Sequence, residues 1–239
     1  MAQVVFERNE LKYVLDGDTC AALSAALQSR LIPDRYGQYT ISSIYFDTKD
    51  YQLIRTSLEK PVYKEKFRLR SYGVPGPEDS VFLELKKKYR GVIYKRRAVL
   101  SLAEADQYLL HGKQPAEQTQ ILREIDWTVR RYSLQPKVLL AYDRKAFYVE
   151  AQPDLRVTFD HDIRWRRTAL DLSAGDQGQL LLESGMVLME IKIPGAMPLW
   201  LSHMLAEFAV FPTSFSKYGT CYKKILLENH NRKAGKICA

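Results

Sequence analysis

The chain has 239 residues, enough for one large domain or two small ones with a sizeable core. Apolar residues make up 46% and charged residues 27%, so a disordered chain is excluded; no run of about 18 apolar residues occurs, so a membrane-spanning helix is excluded too. The formal net charge of +8 favours polyanionic partners, whether nucleic acid, phosphate compounds or anionic lipid.

The opening residues, MAQVVFERNELKY, carry charges where a signal peptide has its apolar region, so a cytoplasmic location is expected. Residues 15–31, LDGDTCAALSAALQSRL, read as a helix capped by Asp16 or Asp18, with Leu23 and Leu27 one turn apart. YTISSIYFD, ending at Asp47, reads as a strand, and TKDYQLIRTSLEK as a short helix closed by Pro61, with Asp47 as its cap. VYKEKFRLRSYG and VFLELKKKY form a hairpin around the turn residues VPGPEDS, and Arg90–Gly91 turns the chain into a further strand, VIYKRRAVLS.

Two helices follow. The first starts at Ser101 with a capping box to Glu104. The second, TQILREIDWTVRRYS, places Ile121, Leu122, Ile125, Val129 and Tyr132 at helical spacing, which puts Trp127 in a core. Beyond Pro136, KVLLAYDRKAFYVE is one long strand or two joined near Asp143–Lys145. LRVTFDHDIRWRRT and GMVLMEIKIPG are strands, and PLWLSHMLAEFAVF and SFSKYGTCYKKILLEN are helices, with Trp200 in a core. About eight strands with helices between them, and no linker or repeat, predict a single α+β domain. Cys20, Cys221 and Cys238 are far apart and form no CxxC pair, so they read as free thiols.

The strands share a pattern. Phe67 and Leu69 alternate with Arg68 and Arg70, Leu83 and Leu85 with Glu84 and Lys86, and Ile191 and Ile193 with Glu190 and Lys192. For any one strand an exposed sheet face explains this equally well. Repeated over most strands, and dominated by Arg, Lys and Glu, it points to a barrel with the apolar face outward under helices and the charged face lining a tunnel. Such a tunnel needs anions for its cations, because unpaired buried charge is costly. Lys66, Arg68, Arg70, Lys86, Lys88, Lys95 and Arg97 suit phosphate oxygens, while Glu7, Glu10, Glu84 and Glu190 suit Mg²⁺ or Mn²⁺. These carboxylates would repel a nucleic-acid backbone, so nucleic acid is not the expected partner.

ELKY at Glu10–Tyr13, SIYFDTKDYQL at Ser43–Leu53, KFRLRSYG, VFLELKKKYRGVIYKRR and SKYGTCY together resemble the VTC domain of polyphosphate polymerases, one branch of the triphosphate tunnel metalloenzymes, which also include CYTH-type triphosphatases and class IV adenylate cyclases. The resemblance covers residues 5–228 and leaves 229–239 as a basic tail. It implies an α+β fold built on an eight-stranded antiparallel tunnel with helices packed outside. It implies Arg68, Arg70, Lys86, Arg144 and Lys217 as catalytic residues, and Lys12, Lys95, Arg97, Arg156 and Ser216 as further ligands of ATP, triphosphate or polyphosphate. Glu190, with Glu84 and Glu10, would hold Mn²⁺ or Mg²⁺. Ser214 stands where the family often has lysine, and Glu7 is off register for the CYTH ExExK, which favours the VTC branch. The larger VTC proteins carry an SPX domain and membrane helices, so any membrane assembly of this chain implies a membrane-protein partner.

The implied activity is ATP-dependent polyphosphate synthesis. Hydrolysis of triphosphate or of a nucleoside triphosphate, and non-catalytic polyanion binding, remain the alternatives. Tyr142 is a candidate to pack beside the phosphates. Asp160 and Asp162 read as turn residues, His161 as a surface or turn histidine, and Arg164, Arg166 and Arg167 as a solvated basic edge.

Overall fold

A computed structural model of the chain describes the backbone of residues 8–237 and the side chains of residues 9–230. Glu7 and Cys238, considered above, lie outside the described residues. The elements run β1 (Arg8–Leu15), α1 (Gly17–Leu27), β2 (Leu31–Asp47), α2 (Gln52–Leu58), β3 (Tyr63–Tyr72), β4 (Ser80–Tyr89), β5 (Val92–Ser101), α3 (Leu102–His111), α4 (Gln120–Tyr132), β6 (Gln135–Val149), β7 (Gln152–Arg166), β8 (Gln179–Leu180), β9 (Val187–Pro194), α5 (Leu199–Glu207) and α6 (Lys217–Ile237).

Local chemistry accounts for most boundaries. Asp16 caps α1 by accepting from the Thr19 backbone N–H. Ser101 and Glu104 form the expected reciprocal capping box of α3. Tyr89 and Val92 pair directly across Arg90 and Gly91, both at positive φ, as a two-residue hairpin of that kind requires. Residues 135–149 form one continuous strand, so no turn breaks it at Asp143–Lys145.

All sheet pairings are antiparallel, in the order β1-β9-β7-β6-β2-β3-β4-β5, with β8 attached to β7. Among the described residues no ladder joins β1 to β5. The sheet nevertheless curls until its ends face each other: Lys86 of β4 acts electrostatically on Glu10 of β1, and Lys12 of β1 on Lys66 of β3.

The apolar positions point outward under the helices. Phe67, Leu69, Leu83 and Leu85 pack with Leu102, Ala105, Leu122 and Ile125 of α3 and α4. Met189, Ile191 and Val157 pack with Leu23 and Leu27 of α1 and with Leu201 and Leu205 of α5. Each such side chain contributes about 1.5–3 kcal/mol by leaving water. A third cluster fills part of the concave side: Tyr218, Cys221, Tyr222 and Ile225 of α6 lie against Tyr45, Leu140, Tyr142 and Trp165. The final helix therefore plugs the curled sheet.

Trp200 is partly buried against the second cluster, as expected. Trp127 is not in the core: it is 53% exposed, and the Arg131 guanidinium sits 4.7 Å over its ring. The packed stripe of α4 runs through Leu122, Ile125 and Thr128 to Val129 and Tyr132, and Trp127, two residues round from Ile125, stands on the far side of the helix.

Candidate functional site

Residues directly opposite in an antiparallel ladder share a face. From β1 to β5, one face thus collects Glu10 and Lys12, Glu190 and Lys192, Arg156, Thr158 and Asp160, Arg144, Ser43 and Tyr45, Lys66, Arg68 and Arg70, Glu84 and Lys86, and Lys95 and Arg97. The opposite parity carries the outward core, so this charged face lines the lumen. Of the thirteen residues that the family resemblance implies for phosphate or metal, all except Ser216 and Lys217 stand on it, and those two lie at the start of the plug helix.

One hub is Glu84, 2% exposed. Its carboxylate accepts from Arg68 Nε at 2.8 Å, from Arg97 Nε at 2.8 Å and from Lys95 Nζ at 2.7 Å, with Arg70 Nε at 3.7 Å. Burial alone raises a carboxyl pKa; Arg68, Arg70 and Lys95 outweigh it and hold Glu84 ionised well below the usual range.

The second hub joins Asp160, Glu190, Arg144 and Lys217. Arg144 donates a fork to Asp160, Nε to Oδ1 at 2.6 Å and Nη2 to Oδ2 at 2.7 Å, and also reaches Glu190 Oε2 at 3.3 Å. Lys217 Nζ lies 2.5 Å from Asp160 Oδ2 and 3.0 Å from Glu190 Oε1. It also sits 4.5 Å over the Tyr142 ring, so Tyr142 does pack beside the cations. Burial opposes the Lys217 charge, but Asp160 and Glu190 outweigh burial and raise its pKa. Lys12 Nζ bridges Glu190, at 3.4 Å, and Glu10, at 3.3 Å.

Past Glu84 along β3 and β4, and on β9, stand cations with no carboxylate within ion-pair distance among the described residues: Lys64, Lys66, Lys86, Lys88 and Lys192. Lys66 donates to Ser216 Oγ at 3.2 Å. Burial first, then Lys12, Lys86, Lys64 and Arg68, push its pKa down to about 7. A surface that holds such a cluster costs free energy until an anion arrives.

The start of α6 is pinned residue by residue: Ser216 by Lys66, Lys217 by the second hub, and Tyr218 by its hydroxyl donating to Asp47 Oδ2 at 2.9 Å. Asp47 also caps α2, as expected, by accepting from Leu53 N at 2.8 Å and Ile54 N at 3.0 Å. Tyr218 stacks on Tyr45 with ring centroids 4.7 Å apart, and Tyr45 accepts from Arg68 Nη1 at 2.9 Å.

Some predicted residues stand apart. Arg156 lies opposite Lys192 toward the exposed end of β7, and Ser214 is exposed ahead of α6. Asp160 is no turn residue: it is fully buried mid-strand at the centre of the second hub. Its parity with Arg156 and Thr158 was the available signal. Arg164 and Arg166 are not a solvated edge. Arg164 binds Asp143 and Asp176, and Arg166 ties down the following loop through the carbonyls of Ala169, Asp171, Gly175 and Gln177.

Oxygen donors on this face suit a divalent cation that is completed by phosphate oxygens. Glu10 and Glu190 stand on paired strands and share Lys12. Glu84, gripped by closer contacts, forms a separate cluster with Arg68, Lys95 and Arg97. Among the described residues no group of three or more His, Cys, Asp or Glu is gathered for a metal, so any cation here would take most of its ligands from substrate and water.

A curled antiparallel sheet with a cation-lined lumen and a plug helix is a tunnel fold. The family model of the VTC domain matches residues 7–226, and the chain belongs to the VTC domain family. It is 28% identical over 170 residues to vacuolar transporter chaperone complex subunit 4 of Trypanosoma cruzi, and 27% identical over 169 residues to that of Trypanosoma brucei brucei. The alignments span 57% and 59% of this chain and 21% of each relative. A solved putative adenylate cyclase from Bacillus halodurans superposes with a TM-score of 0.54 at 17% identity, covering 90% of this chain and 96% of that one. A putative adenylyl cyclase from Hippeastrum, described as having a dominant triphosphatase activity, superposes with a TM-score of 0.53 at 14% identity, covering 90% and 95%. Both likenesses concern the fold. Among the described residues no helix is long and apolar enough to cross a membrane.

Proposed function

We propose that the chain is an ATP-dependent polyphosphate polymerase. The observation that carries this reading is the row of lumen cations on β3, β4 and β5, part of it held ready by Glu84 and part without a carboxylate partner among the described residues. A linear chain of phosphates meets that demand along its whole length, whereas an isolated anion meets it at one point. The attacking group is the terminal phosphate oxygen of the growing chain, and ADP leaves from the donor. Arg68, Arg70, Lys86, Arg144 and Lys217 neutralise charge on the transferred phosphoryl group and its neighbours. Lys12, Lys95, Arg97, Arg156 and Ser216 hold the rest of the chain. Such catalysis is positioning plus electrostatics and needs no side-chain nucleophile.

Glu10 and Glu190 would hold Mn²⁺ or Mg²⁺, which supplies a Lewis acid at the phosphate oxygens, with Glu84 kept as counter-ion to the arginines. The trypanosome relatives are complex subunits by name, and a membrane-protein partner for this chain is part of the same proposal.

Incubation with ATP and Mn²⁺, followed by gel analysis of the product, tests the reading. Long-chain polyphosphate is the expected result. Release of orthophosphate without polymer would make the chain a triphosphatase instead, and tight polyanion binding without turnover under any divalent metal would make it a binding module.

A further inference from the structure

At one end of the lumen the charged rows give way to rings. On β3 the lumen residue after Arg70 is Tyr72; on β4 the one before Glu84 is Phe82; on β5 the one after Arg97 is Val99. On β2, Tyr39 stands opposite Arg144. The rings form a continuous run across three strands: Tyr36 to Tyr39 at 5.9 Å, Tyr39 to Tyr72 at 5.9 Å, and Tyr72 to Phe82 at 5.5 Å between centroids. The run is open to solvent, with Tyr36 62% and Tyr72 47% exposed. It is also joined to the phosphate site, because the Arg97 guanidinium lies 4.7 Å over Phe82 and interacts electrostatically with Tyr72.

The other end of the lumen differs. Its exposed tyrosines, Tyr63, Tyr89 and Tyr94, share the outward parity of Phe67 and Leu85 and so stand outside, while the lumen there shows Lys64, Lys66, Lys86 and Lys88. The tunnel therefore has an aromatic end and a lysine end. A phosphate chain has no use for ring faces. A nucleoside triphosphate has a flat π-surface separated from its α-phosphate by one ribose, and stacking on aromatic side chains tolerates any base.

We propose that the run of Tyr36, Tyr39, Tyr72 and Phe82 is a nucleobase platform that seats the donor nucleotide with its triphosphate directed at Arg70 and Arg97, so that the lysine end receives the phosphate chain. This rests on the tunnel binding a triphosphate and adds which triphosphate, and in which direction. Discrimination against inorganic donors comes from the rings, and discrimination between bases is weak.

Titration calorimetry on the full chain with Mg²⁺ tests it, using β,γ-imido-ATP and inorganic tripolyphosphate as probes. Tyr72→Ala is expected to weaken the nucleotide about 5- to 150-fold, the range for removing one base-stacking ring, and to change tripolyphosphate by less than about threefold. Tyr72→Phe, which keeps the ring and loses only the hydroxyl, is expected to bind the nucleotide within about threefold of wild type. Equal weakening of both probes by Tyr72→Ala, weakening of neither, or a Tyr72→Phe as poor as Tyr72→Ala each overturns the platform. If the wild type binds the nucleotide and Tyr72→Ala binds it equally well, the platform alone falls; if the wild type does not bind the nucleotide, the ATP-dependent function falls with it.

Discussion

Replacing Glu84 with glutamine removes one negative charge from the middle of four cations. Glu84 is 2% exposed, and its closest partners lie 2.6–2.8 Å away. Breaking a buried ion pair by removing one partner costs about 3–5 kcal/mol. Lys95 and Arg97 are 46% and 35% exposed at the side chain and are partly screened by water, so the lower figure of about 3 kcal/mol applies. For a chain of this size that lowers the Tm by about 6–12 °C. The effect on binding has the opposite sign. A carboxylate roughly 8 Å from a phosphate charge repels it by roughly 0.5–2 kcal/mol at effective dielectrics between about 80 and 20. E84Q should therefore bind tripolyphosphate about 2- to 30-fold more tightly in EDTA, and the ligand should raise its Tm further than it raises that of wild type. Differential scanning fluorimetry and calorimetry measure both. An unchanged apo Tm together with unchanged or weaker binding in EDTA would refute the counter-ion role. Weaker binding confined to Mn²⁺ would assign Glu84 to the metal.

Three further outcomes are expected. Glu190→Ala should cut metal-dependent turnover by at least about 100-fold while leaving tripolyphosphate binding in EDTA no weaker, since it removes a carboxylate and not a cation; full turnover in the variant excludes Glu190 as a metal ligand. The pKa of Lys66 is depressed on folding, so the unfolded chain binds more protons above about pH 7. Stability should accordingly rise with pH from about 7 towards 9.5, by at most ~1.4 kcal/mol per pH unit from this group, and Lys66→Met should flatten the slope in chemical denaturation. Tyr218→Phe keeps the stack on Tyr45 but loses the 2.9 Å hydrogen bond to buried Asp47. It should cost about 1.5–3 kcal/mol, or about 3–12 °C in Tm, and no change in thermal melting contradicts the pinning of α6 through Asp47.

Most strands and helices were legible because hydrophobic period and turn chemistry agree locally: KFRLR alternates, Ser101 and Glu104 reciprocate, and Arg90–Gly91 turns. β1 was not assigned as a strand, because RNELKYVL is short and its alternating Leu11, Tyr13 and Leu15 are diluted by charge. Asp160 was misread because TFDHD, though inside the predicted strand, has a turn's composition, and only its contacts with Arg144 and Lys217 show it as a hub. Trp127 was misplaced because an apolar ring on an amphipathic helix was taken for core, although its spacing from Ile125 puts it on the far side of the stripe. The ring run was invisible for a further reason: Tyr39, Tyr72 and Phe82 come from three strands, and each alone passes for an ordinary strand aromatic.

The alternation of charged and apolar residues determined that each strand has two chemically opposed faces, and the order of the quoted motifs determined the family. Neither could say which face is inside, since a flat sheet with a wet side carries the same code. The tertiary structure decided that by curling the sheet, covering the apolar parity with α1, α3, α4 and α5, and seating α6 in the lumen. Once the charged parity is turned inward and largely away from water, cations distant in sequence find common counter-ions, and Glu84, Asp160 and Glu190 become hubs. That convergence depends on register across strands, which no local stretch of sequence contains.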